Sequence, residues 1–190
     1  MKPSLVILAS GNGTNAENII KYFQATETAQ VVRVLSNKKD AKVLARAEAL
    51  NVPAQSFTKE ELNDADHIGK LLEEIDPDLI ILAGFLLKIP EYLVAAYPDK
   101  IVNIHPALLP NYGGKGMYGM NVHRAVVANK ESFSGISIHY VNEHYDEGGI
   151  IFQAKTRLDS TDSPEDVAAK VHSLEYEHFP RVIENLLLNQ

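Results

Sequence analysis

Short runs of β-branched and aliphatic residues alternate with stretches of helical periodicity along this chain, and that rhythm restricts the fold more than any single motif. Residues 5–9, 31–35, about 54–57, 78–83 and 101–104 read as strands. Between them lie helical patterns at 16–24, where Ile19, Ile20 and Phe23 share one face, at 41–50, from about 59 or 60 to 75, and at 90–96. Strand, helix, strand at this spacing predicts an α/β fold with a doubly wound, mostly parallel sheet. After residue 121 the rhythm changes. A helix over about 122–129 precedes a run of period two at 135–141, a polar loop at 142–149 and another strand at 150–158, which together predict an antiparallel addition to the sheet near the C-terminus. A last helix opens at Ser163-Pro164-Glu165, with Ser163 as N-cap and Asp166 three residues on. Pro180 is expected to kink or split it before Leu186.

With 190 residues, 45% of them hydrophobic, the chain has enough apolar surface for one domain over 1–190. Eighteen basic against 25 acidic side chains leave a net charge of −7, which argues against a nucleic-acid partner. The absence of cysteine removes disulfides, thiolate nucleophiles and Cys-based zinc sites. The longest apolar run, 79–87, is interrupted by Gly84 and is too short to cross a bilayer, so no membrane partner is expected. The opening MKPSLVILASG runs directly into a glycine turn and a helix; it reads as a first strand of a cytoplasmic protein rather than a signal peptide. Glu60, Glu61, Asp64 and Asp66 read as a solvated helix face.

Two stretches carry chemistry. In IVNIHPALLP, residues 101–110, a strand ends at Pro106, which places Asn103 and His105 on one side of its carboxyl end. Ligands bind at that end of open α/β sheets. An amide can donate to an oxygen that gains charge while an imidazole moves a proton, a minimal set for acyl-type transfer. The alternative is an Asn that caps a turn beside a structural His. In the second stretch, Ser10-Gly11-Asn12-Gly13-Thr14-Asn15 links the first strand to the first helix, an arrangement that points backbone N–H groups at an anion. It lacks the third glycine of a dinucleotide fingerprint and the Gly-Lys-Ser/Thr of a P-loop, which leaves a small phosphate monoester or an ordinary capped turn. Residues 84–90 are apolar where a loop should be polar, as in a packed connection or a wall for a flat ligand. Residues 111–121, NYGGKGMYGMN, form a glycine-rich loop.

AGF at 83–85, NIHPALLP at 103–110 and YDEGGII at 145–151, together with SGNGTN at 10–15, occur in the order and spacing of the folate-dependent formyltransferases, which this chain resembles over nearly its whole length. The resemblance implies a Rossmann-like formyltransferase fold. It also implies 10-formyltetrahydrofolate as co-substrate, with no metal, and the amine of glycinamide ribonucleotide as acceptor in purine synthesis. Asn103, His105 and Asp146 match the family's catalytic trio, with His105 as proton shuttle and Asp146 holding it and raising its pKa. The turn of Gly11, Asn12, Gly13, Thr14 and Asn15 matches the phosphate site. Glu175 matches a ribose contact, and His172 stands at a neighbouring matching position with a different residue type.

Phe85, Leu86, Leu87, Lys88 and Ile89 match the folate wall, with Leu87 where a basic residue is usual. Asn142 to Asp146 match the loop across the pterin, with Asn103, Asn142 and Glu143 among the implied folate contacts, while Glu143 and Glu147 also read as solvated loop charges. The glycine-rich loop is longer than usual, and Asn121 stands where His is common. His67, His139, His144 and His178 read as structural or surface groups. The partners implied are small molecules, with the protein a monomer or homodimer. Rival readings are a hydrolase that passes formyl to water, a transfer-RNA or sugar-nucleotide formyltransferase, and a non-catalytic phosphate-binding protein.

Overall fold

In the computed structural model, which describes residues 2–189, a seven-stranded sheet has the order β3-β2-β1-β4-β5-β6-β7. The strands are β1 (Ser4–Leu8), β2 (Gln30–Ser36), β3 (Ala54–Ser56), β4 (Leu79–Leu82), β5 (Ile101–His105), β6 (Phe133–Tyr140) and β7 (Ile150–Arg157). Pairings from β3 through β5 are parallel, whereas β5–β6 and β6–β7 are antiparallel, as expected.

Period-two alternation sorts the strand side chains into two cores. Leu5, Ile7, Leu79, Ile81, Val102 and Ile104 pack on one face with α1 (Thr14–Thr26), α2 (Lys42–Ala49), α6 (Met120–Ala128) and α7 (Pro164–Leu188). Val6, Leu8, Ile80, Leu82 and Ile101 pack on the other with α3 (Lys59–Leu62), α4 (Lys70–Ile75) and α5 (Glu91–Ala96). Because β4 lies on the opposite side of β1 from β2, the strand order reverses between β1 and β4. Their carboxyl ends therefore flank a crevice.

Two expectations are corrected. The helix read over 59–75 is broken into α3, a wide turn at Ala65–Gly69 and α4. Thr58 and Glu61 form a capping box, Asn63 Nδ2 donates to the Lys59 carbonyl at 2.7 Å, and Asp64 Oδ1 accepts from the Asp66 N–H at 2.9 Å. Asp64 thereby satisfies a backbone N–H that a continuous helix would have paired, and Asn63 adds a second donor to a carbonyl at the break. Conversely, α7 is not split at Pro180 and runs unbroken from Pro164 to Leu188. Proline cannot donate to the carbonyl four residues back. That carbonyl, of Tyr176, instead accepts from Asn18 Nδ2 on α1 at 3.0 Å.

Candidate active site

The crevice opens into a cavity of about 470 Å³. The turn after β1, the loop after β4, the end of β5, the glycine-rich loop and α7 all contribute to its walls.

Gly13, with φ 75°, is the N-cap of α1 and provides no side-chain cap. The first bond of α1 runs from the Glu17 N–H to the Gly13 carbonyl, which leaves the preceding N–H groups of the helix without a helical acceptor, and Gly11 to Asn15 line the cavity. A Cβ at Gly13 would lie 2.4 Å from Val43 Cβ, so α2 packs where only glycine fits. Arg46 of α2 holds the turn from outside: Nε donates to the Asn12 carbonyl at 2.8 Å, one terminal nitrogen to Asn12 Oδ1 at 3.0 Å, and the other to Glu17. Ser10 ties the crevice together. Its Oγ donates to Asn37 Oδ1 at 2.6 Å and accepts from the Leu86 N–H at 2.9 Å.

Asn103 and His105 share the face of β5 that carries Ile101, and both line the cavity. His105 is buried, and its Nε2 donates to the Tyr112 carbonyl at 2.7 Å. Its Nδ1 lies 3.6 Å from Asp146 Oδ2. Asp146 adopts φ 56°, a strained backbone for a non-glycine residue, and its Oδ2 accepts the Gly114 N–H at 2.9 Å. The trio is therefore assembled from β5 and the β6–β7 loop.

His139 reads as structural in the sequence, yet it belongs to this cluster. Antiparallel pairing sets it directly opposite Asn103 on the same face of the sheet. Its Nδ1 donates to the Tyr140 carbonyl at 2.7 Å, so Nε2 is left to accept from Asn103 Nδ2 at 3.0 Å. His139 Nε2 also lies 3.6 Å from Asp146 Oδ1. The sequence signal is the polar alternation of Ser137 and His139; the register that brings it onto Asn103 and His105 is not visible there. Ser137, opposite His105, donates to the Ala107 carbonyl and accepts from the Leu109 N–H and Gln153 Nε2, pinning the segment after β5.

Burial pushes the His105 imidazole down, and although Asp146 and the Tyr112 carbonyl pull it up, the net direction is below the ordinary value. Asp146 does raise it, as the resemblance implies, but the desolvation of a ring enclosed at the strand end is larger than that attraction. For Asp146, burial pushes upward, but the His139 and His105 rings in their protonated form and the Gly114 N–H outweigh it and hold the carboxyl below its usual range.

At the other side of the cavity, buried Glu175 accepts through Oε2 from Asn15 Nδ2 at 2.8 Å and from His172 Nδ1 at 2.7 Å. The Glu175 carboxylate raises the His172 pKa against the effect of burial. Gly11 to Asn15, Phe85, Leu86, Asn103, His105, Asp146, His172 and Glu175 thus share one cavity. Leu87, Lys88 and Ile89 do not line it. They border an adjoining groove with Lys59 and Tyr92, and Leu86 and Tyr145 line both spaces. Asn142 and Glu143 line neither; Asn142 Oδ1 caps the His144 N–H at 2.9 Å. The glycine-rich loop contributes Gly114 through Met120, and α6 contributes His123. No group of three or more His, Asp or Glu side chains among the described residues could hold a metal ion.

Residues 4–183 match a family model described as formyl transferase. A chloroplastic phosphoribosylglycinamide formyltransferase of Arabidopsis thaliana is 36% identical over 188 residues, 96% of this chain; the chain spans 64% of that relative's length. The phosphoribosylglycinamide formyltransferase of Bacillus subtilis (strain 168) is also 36% identical, over 95% of this chain and 93% of its own length. The crystal structure of glycinamide ribonucleotide transformylase 1 from Geobacillus kaustophilus superimposes with a TM-score of 0.89 at 32% identity, covering 98% of this chain and 100% of that one.

Proposed function

The chain belongs to the formyl transferase family, and from that membership we propose that it moves the formyl group of 10-formyltetrahydrofolate to the amine of 5-phosphoribosylglycinamide in purine biosynthesis. One observation carries the reading: Asn103, His105 and Asp146 open onto the same cavity as the uncapped N-terminus of α1. That shared space supports reading the trio as the formyl-transfer centre and the helix end as its anion site.

The α1 N-terminus holds the acceptor phosphate through free N–H groups and the positive end of the helix. Asn15, His172 and Glu175 border the sugar of the acceptor. Phe85 and Leu86 supply an apolar wall for the folate ring, and the groove of Leu87, Lys88 and Ile89 continues that wall outward. As the amine adds to the formyl carbon, Asn103 donates to the oxygen that gains charge; His139 fixes the amide by accepting its other N–H. His105 begins neutral, with its proton on Nε2 committed to Tyr112, and Nδ1 takes the proton released by the amine. The Asp146 carboxylate beside Nδ1 stabilises the imidazolium so formed. His105 then returns the proton to the departing folate nitrogen.

The test is tetrahydrofolate release from 10-formyltetrahydrofolate with and without glycinamide ribonucleotide, with free formate measured in parallel. Release that requires the ribonucleotide and yields no formate is the expected result. Release without it would establish a hydrolase instead, and silence in both would remove the transferase reading.

A further inference from the structure

His123 of α6 is nearly sealed, 3% exposed, and lines the cavity, yet the chemistry above makes no use of it. Its Nδ1 is enclosed and has no hydrogen-bond partner among the described residues. A buried N–H without an acceptor costs more than a bare lone pair, and burial together with the neighbouring His172 disfavours the doubly protonated ring. The single proton of the neutral ring therefore sits on Nε2, the nitrogen that is not enclosed.

Two acceptors without partners stand in the same wall. Asn15 Oδ1 is buried and unpaired, and its orientation is set because Nδ2 must donate to Glu175. Glu175 uses Oε2 for both of its hydrogen bonds and leaves Oε1 without one among the described residues. Helix α6, which carries His123, packs on α7, which carries Glu175. One donor beside unsatisfied acceptors complements a group that both accepts and donates, as a hydroxyl does and an amine cation or a carbonyl does not.

We propose that His123 donates from Nε2 to a ribose hydroxyl of the acceptor while that hydroxyl donates to Glu175, so that His123 discriminates ribose from deoxyribose. This inference rests on the acceptor named above and adds a specificity-determining residue to it.

Equilibrium binding of glycinamide ribonucleotide and of its 2′-deoxy and 3′-deoxy analogues to the full chain tests it, with His123→Phe and His123→Gln. The wild type should prefer the ribonucleotide to one of the analogues by roughly tenfold, as expected for one hydrogen bond in a closed site. His123→Phe should lose that preference by binding the ribonucleotide more weakly while keeping its affinity for that analogue. His123→Gln, which retains an N–H donor, should recover part of the preference, and thermal melts of both variants confirm folding. Equal losses for all three ligands in His123→Phe, or undiminished discrimination in it, would overturn the assignment while leaving the transferase reading intact. A wild type that binds no ribonucleotide would overturn both.

Discussion

His105 faces two acceptors from inside an apolar enclosure, and its behaviour follows from which influence prevails. Burial lowers its pKa, and the attraction of Asp146 restores only part of the loss. A neutral His105 thus persists to more acidic pH than an exposed imidazole would, and kcat should fall only when pH drops below the ordinary imidazole range. In Asp146→Asn the upward pull is gone. The acid limb should move to still lower pH while plateau kcat drops by about 10²-fold or more, the scale of a lost proton-transfer partner. A limb that moved to higher pH would contradict the electrostatic assignment; profiles of both proteins with the same substrates decide it. Asn103→Ala should cost on the order of 3 kcal/mol in the barrier, read as kcat, with substrate KM values changed far less. Neither His139 nor Tyr112 could be assigned to this cluster from spacing. Asn103 and His105 were legible because two residues apart on a strand means one face. His139 reaches them by a strand register, and Tyr112 acts through its backbone carbonyl, which no side-chain type encodes.

Among the elements, β1, β2, β4 and β5 were readable because buried parallel strands are short apolar runs, and β6 because its residues alternate at period two. The helices were less so where local polar groups or distant partners intervene. Asn63 and Asp64 interrupt a stretch whose periodicity alone favours continuity. At Pro180 the missing hydrogen bond is replaced from α1, a partner 158 residues away from the carbonyl it serves. Asn18→Ala should therefore destabilise the fold by about 1 kcal/mol. In a Pro180→Ala background the same change should cost less, because an alanine at that position supplies an N–H that can reach the Tyr176 carbonyl. A double-mutant cycle by denaturant unfolding measures that coupling, and strict additivity would show that Asn18 does not compensate for the proline. The joint between β1 and α1 is stricter still. Gly13→Ala meets both a positive φ and the side chain of Val43. It should lower stability by roughly 1–3 kcal/mol and weaken binding of the phosphorylated acceptor, checked by thermal unfolding and by acceptor KM.

At the scale of the whole molecule, a chain of net charge −7 would, on the function proposed above, have to attract an acceptor that is also an anion. Exposed Lys38, Lys39 and Lys42 border the outer side of the Gly11-Asn12 turn and provide a local positive approach. Replacing all three by Gln should reduce kcat/KM for the phosphorylated acceptor several-fold at low ionic strength. The difference should vanish near 1 M salt, where the screening length falls to about 3 Å. A deficit that survived high salt would mean direct contact instead of steering. Such a patch was invisible in overall composition, since a charge total says nothing of where its minority sign gathers. The Asn15–Glu175 hydrogen bond spans 160 positions of the chain. During synthesis, residue 15 has left the ribosome long before residue 175 is joined, so this wall of the cavity is incomplete on the emerging polypeptide. On the proposed function, ligand-dependent protection from proteolysis should begin only once α7 has docked, so the acceptor would act as a check on finished molecules and not as a chaperone for growing ones.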